Sequence, residues 1–160
     1  MEIVGLLEKN STREKVYVLR HAVTFSETNA MGGVVYFSNF VKWQGVAREL
    51  ILCQKIEYKK LMSSSLEIIT HSCSAKFLEQ LYFGDVARIE VQTRDVLPTS
   101  LVIQFRYFDD KTDKLVATGE QKVAFADGKK GELCRIPPEI QALAKEVEIL
   151  ATRSNKKENL

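Results

Sequence analysis

Thr24 to Leu50 reads TFSETNAMGGVVYFSNFVKWQGVAREL, and its periodicity changes halfway. Upstream, residues 15–25 (KVYVLRHAVTF) alternate as a strand does, until Gly32 and Gly33 break the pattern. From Ser38 or Asn39, both plausible N-caps, Phe40, Trp43, Ala47, Leu50 and Ile51 recur at helical spacing through to about Lys60. SSS at 63–65 then reads as a loop. Beyond it, residues 66–83, 85–97, 99–109 and 114–127 are rich in Val, Ile, Phe, Tyr and Thr, with turn signals at 84–85, 97–100 and 109–114. Pro137 and Pro138 open a short terminal helix, PPEIQALAKEVEIL. One strand, one long apolar helix, four long strands and a last helix make an α+β domain. The central helix can bury its apolar side only by lying across an antiparallel sheet of about five strands that wraps it.

Composition narrows the function. The chain has 160 residues, 45% of them hydrophobic, which suits a single domain with a real core. The net charge of +2 offers no basic excess for nucleic acid. No apolar run approaches the ~20 residues of a membrane span. The first fifteen residues carry acids and no apolar h-region, so a secretory signal is not expected and the cytoplasm is. Three cysteines (Cys53, Cys73 and Cys134) form no C-x-x-C, and with two histidines far apart they suggest reduced, mostly buried thiols, with no metal and no cofactor. The expected organisation is an N-terminal segment at 1–14, a domain at 15–150 and a polar tail at 151–160.

The element order, together with Glu27, Thr28, Asn29, Gly32, Tyr36, Asn39 and Trp43, resembles the hotdog-fold thioesterases of the 4-hydroxybenzoyl-CoA thioesterase type. Their loop commonly reads D-T-D-x-x-G-x-V-Y-x-x-N-Y-x-x-W, with the second Asp catalytic. Asn29 falls on that Asp, and Phe40 replaces a Tyr. A narrower group, the thioesterases that accompany enediyne polyketide synthases, has Asn at this place followed by a W-Q-G-x-x-R-E helix, matched here by Trp43, Gln44, Gly45, Arg48 and Glu49. Residues 72–86 and 119–125 also look like that group's second and last strands. The resemblance implies that Asn29 and Arg48 act in hydrolysis, and that no hydroxyl acts at position 40.

Thioester hydrolysis needs an oxyanion stabilised and a water held. Unpaired N–H groups at a helix start suit the first task, and those around Tyr36 and Phe37 would face the carbonyl. Gly32 and Gly33 let the loop approach a substrate. A neutral amide is a poor base, but Asn29 can accept a hydrogen bond from water and donate one to an oxyanion. Gln44 and Arg48 share a helix face, where the cation could meet a substrate oxygen or a product carboxylate. Asn29, Arg48 and Tyr36 therefore make the catalytic set, with Gly32, Gly33, Phe37, Phe40 and Gln44 as the substrate-binding set.

Other readings stay open. Asn29 could cap a turn, Arg48 could pair with a charge at a subunit contact, and Glu49 is a rival base about 100° around the helix from Arg48. His21 and His71 read as structural, and Cys73 as packing. The resemblance implies a homo-oligomer (a dimer of dimers) with shared sites. It also implies a polyketide or β-keto polyene acyl group on an acyl carrier protein of a polyketide synthase, whose acid product could lose carbon dioxide. A general acyl-CoA thioesterase and a non-catalytic acyl-binding module are the alternatives. A hotdog dehydratase would want a helical histidine, which is missing here.

Overall fold

The computed structural model describes residues 6–149. The expected polar tail and the first residues of the N-terminal segment lie outside them. Among the described residues seven strands form one sheet: β1 (Leu6–Lys9), β2 (Lys15–Ala22), β3 (Leu66–Phe77), β4 (Val86–Arg94), β5 (Ser100–Asp109), β6 (Leu115–Asp127) and β7 (Glu132–Leu133). Their order is β1-β2-β4-β5-β6-β3, with β7 beside β6, and every ladder is antiparallel. The α+β reading holds, while the strand count exceeds the expected five. The additions are short: β1 lies within the segment expected to precede the domain, and β7 has two residues.

Helix α1 (Ser38–Cys53) connects β2 to β3 and crosses the sheet, because its neighbours in sequence lie at opposite sides of it. Phe40, Trp43, Ala47 and Ile51 are its buried stripe, packed on Leu19, Ile89, Phe105 and Tyr107 from the strands. Burying a side chain the size of Phe40 or Ile51 contributes about 1.5–3 kcal/mol. The helix stops earlier than its periodicity predicts. Gln54 and Lys55 fall back to tighter bonds, on the carbonyls of Ile51 and Leu52, so that Ile56 can turn into the core. A separate short helix, α2 (Tyr58–Ser63), follows. Neither Ser38 nor Asn39 caps α1; Phe37 occupies the N-cap, without a side-chain bond.

The first expected long strand ends at Phe77, and residues 78–85 form a loop instead. There Leu81 is buried and its carbonyl accepts the Val35 N–H at 2.8 Å, so this loop lies against the glycine loop. Helix α3 (Pro138–Glu146) buries Ile140, Leu143 and Ala144 over β4. No helix among the described residues is long and apolar enough to cross a membrane.

Candidate functional site

The loop from Thr24 to Phe37 is built on one buried carboxylate. Glu27 ends a 3-10 turn (Phe25–Glu27) and is 8% exposed. Its side chain accepts bonds from Trp43 Nε1 at 2.9 Å, the Thr24 N–H at 2.8 Å, Thr24 Oγ1 at 3.0 Å, and His21 Nε2 at 2.8 Å. Burial pushes its pKa up, but the hydrogen bonds from Thr24, His21 and Trp43 outweigh that and bring it down to about 2. The main-chain carbonyl of Glu27 accepts the Tyr36 N–H at 2.9 Å and Asn39 Nδ2 at 2.7 Å. One residue thus ties strand, loop and helix together, and Asn39 reaches back to it where a cap was expected. His21 is buried and hydrogen-bonded, as read, with Nδ1 unpartnered among the described residues.

Asn29 follows two residues later. Its N–H closes on the Val34 carbonyl at 2.9 Å, Thr28 bridges Val35, and Gly32 and Gly33 turn the tip at φ +81° and +67°, a region open to glycine. The Asn29 side chain is exposed and bonds to no group among the described residues. Tyr36 and Phe37 are half exposed, their rings 4.7 Å apart. The Tyr36 N–H is occupied by Glu27. The N–H groups of Phe37 and Ser38, at the start of α1, have no acceptor among the described residues and are the donors open to an oxyanion.

Arg48 lies nearly three turns into α1, about 15 Å from the helix start. Its Nη1 donates to Thr70 Oγ1 at 2.9 Å on β3 and Gln121 Oε1 at 3.1 Å on β6. Burial lowers its pKa, opposed by Cys73 and Glu49. Among the described residues it is the single charged one on the wall of an apolar cavity of ≈ 60 Å³ beneath α1, lined also by Ile51, Ile68, Ile103, Phe125 and Leu143. Asn29 does not line this cavity, so one protomer does not bring Asn29 and Arg48 together.

Gln44 is wholly buried: Nε2 donates to the Ser74 carbonyl at 2.9 Å, and Oε1 accepts the Cys73 thiol at 3.1 Å. Gly119 is needed here, because a Cβ on it would stand 2.2 Å from Gln44 Nε2. Phe40 is core: its ring packs edge-on to Phe77 and Tyr107, and its carbonyl accepts the Tyr107 hydroxyl at 2.8 Å. All three cysteines are free, yet Cys53 and Cys73 are exposed rather than buried. Among the described residues no group of His, Cys, Asp or Glu could hold a metal ion. Sequence reasoning missed Glu27 as an anchor, although it occupies the first acidic place of the loop pattern. It also missed Thr70 and Gln121, which carried no local signal.

The sequence pattern of the thioesterase-like superfamily matches residues 23–143. A 1,4-dihydroxy-2-naphthoyl-CoA hydrolase of Prochlorococcus marinus is 30% identical over 111 residues, 63% of this chain and 70% of that protein. The dynemicin thioesterase, whose crystal structures reveal induced-fit and allosteric effects upon polyene binding, superposes with a TM-score of 0.78 at 28% identity, covering 85% of this chain and 99% of that one. A 1,4-dihydroxy-2-naphthoyl-CoA thioesterase from Synechocystis shares the fold, with a TM-score of 0.74 at 15% identity over 81% of this chain and 96% of that one.

Proposed function

The chain belongs to the thioesterase-like superfamily and is a thioester hydrolase with a hotdog-type domain, and from that premise we propose that it releases a polyketide or β-keto polyene acyl group from an acyl carrier protein. The observation that carries this reading is Arg48, a half-buried cation at an otherwise apolar cavity. The apolar walls suit a hydrocarbon chain, and the cation suits an oxygen of the acyl group or the carboxylate formed from it. The likeness to the dynemicin thioesterase supports the same class of acyl group.

In the reaction, Asn29 orients the attacking water. The free N–H groups of Phe37 and Ser38 stabilise the oxyanion, aided by the positive end of α1. Water adds to the carbonyl carbon, the carbon–sulfur bond breaks, and the products are an acid and a thiol. A β-keto acid then loses carbon dioxide without a dedicated base.

Because Asn29 and Arg48 stand apart in one protomer, the site is shared between two copies. β3 supports this: it is a twelve-residue edge strand with no partner on its outer side among the described residues, and Ile69 and Phe77 on it are exposed. Phe25, Met31, Phe37 and Phe83 add an exposed apolar surface around the Asn29 loop. Pairing of β3 with a second copy covers that surface, and two such dimers make the tetramer.

A second reading, hydrolysis of an acyl-CoA, is favoured by the 30% identity to a CoA-ester hydrolase. The same acyl group presented on a carrier protein and on coenzyme A separates the two. A higher kcat/KM on the carrier supports the first, and equal or higher kcat/KM on coenzyme A refutes it.

A further inference from the structure

The cavity has a direction. Arg48 holds the end beside β3 and β6, through Thr70 and Gln121. From there the walls run over Ile103 on β5 to Val91 and Thr93 on β4. In the order β3-β6-β5-β4 that path crosses three strand spacings, about 14 Å. Its far end is closed by a helix rather than by the sheet: Ile140, Leu143, Ala144 and Val147, on or just after α3, face into the same cavity.

That end is fastened down. Thr93 Oγ1 donates to the Ala144 carbonyl at 2.6 Å, and the Thr93 N–H donates to the Val147 carbonyl at 3.2 Å. The Ile149 N–H returns to the Thr93 carbonyl at 2.8 Å, and the Tyr17 hydroxyl donates to Glu146 Oε2 at 3.0 Å. The superfamily pattern ends at residue 143, so Ala144 and Val147 lie beyond it. Protein interiors are close-packed, so an apolar cavity of ≈ 60 Å³ is unfilled space whose walls suit an apolar guest.

We propose that α3 is the end-stop of the acyl chamber, and that Leu143 and Ala144 set the longest acyl chain the enzyme accepts. The inference rests on the thioesterase reading and adds the element that measures the substrate. A chain entering beside Arg48 runs across the sheet until its terminal carbons meet these two side chains. Shortening Leu143 deepens the chamber, and enlarging Ala144 makes it shallower.

The test uses the full chain, Leu143→Ala and Ala144→Leu, and straight-chain acyl-CoA thioesters from butanoyl to hexadecanoyl. The length with the highest kcat/KM is expected to rise for Leu143→Ala and to fall for Ala144→Leu. For Ala144→Leu, the longest good substrate of the unaltered enzyme should lose about tenfold or more relative to butanoyl-CoA. Variants that scale every length by one common factor would overturn the proposal, because α3 would then matter only to folding. Calorimetric binding of the free straight-chain acids reads the chamber without chemistry. Matching shifts in Kd with length support the end-stop even where no thioester turns over, an outcome that refutes the hydrolysis reading alone. Kd values independent of length in all three proteins refute the end-stop while leaving hydrolysis standing.

Discussion

Replacing Glu27 with glutamine tests the foundation of the candidate site. The Glu27 carboxyl falls from an ordinary value of 4.5 to about 2 in the folded protein. At 1.36 kcal/mol per pKa unit, that depression corresponds to about 3 kcal/mol of stability. Hydrogen bonds to a charged group contribute about 1.5–3 kcal/mol by an independent rule, so the two magnitudes agree. The group's folded pKa is lowered, so its stabilisation is complete above pH 4.5 and is lost as pH falls from 4.5 towards 2. In Glu27→Gln, the side-chain amide offers one accepting oxygen to the four donors that Thr24, His21 and Trp43 now present. Urea unfolding of both proteins across the acid range measures the effect. The variant should be about 3 kcal/mol less stable near neutrality, and the gap should close towards pH 2. A gap that is absent at neutrality, or that stays constant into acid, refutes the assignment of a buried, ionised anchor. Turnover supplies a second readout: the loosened loop should lower kcat more than it alters KM, and Glu27→Asp should recover part of the loss.

Asn29→Ala and Arg48→Ala should each lower thioester turnover at least about tenfold, with the elution volume on size-exclusion chromatography unchanged. Unchanged rates in both would refute the catalytic set. Asn29→Asp decides whether an anion is tolerated there: collapse of the rate means the position must donate to an oxyanion, whereas retained hydrolysis means a carboxylate can substitute. Gly119→Ala should cost about 1–3 kcal/mol by overpacking against Gln44, and Gln44→Ala in the same chain should relieve part of that cost in a double-mutant cycle. Ile69→Lys, on the open edge of β3, should dissociate the oligomer in light scattering and remove turnover with it, if two copies share each site.

Much of the fold was written locally. Phe40, Trp43, Ala47 and Ile51 mark the helical stripe, and all four are buried in one cluster. The turns near Gly84, Pro98 and Asp110 separate β4, β5 and β6 almost where the residue types place them. What was not legible depends on distant partners. β1 is only four residues long and is a strand because β2 offers it an edge. Helix α1 stops at Cys53 without glycine or proline, because Ile56 has a place in the core that a continued helix could not reach. Residues 78–83 have strand composition, yet Leu81 is taken by Val35 from the glycine loop.

The site divides in the same way, and the division bears on the chemistry. Asn29 and Arg48 could be singled out by their places in a pattern, but the partners that hold the site lie far off in sequence: Trp43 for Glu27, Gln121 for Arg48. Glu27, two residues before Asn29, is the carboxylate nearest in sequence that could serve as a general base. The structure removes it. Its carboxylate oxygens are occupied by donors from Thr24, His21 and Trp43, and a group with a pKa of about 2 has little affinity for a proton near neutrality. Glu49 is exposed and one residue from Arg48, on a different side of the helix from the cavity. The acid in the loop therefore holds the machinery in place and takes no proton. In the proposed reaction hydrolysis then rests on a neutral amide and free main-chain donors, which places the demand on rigidity: a weak orienting group is useful only where its loop cannot move. The buried carboxylate beneath Asn29 meets that demand.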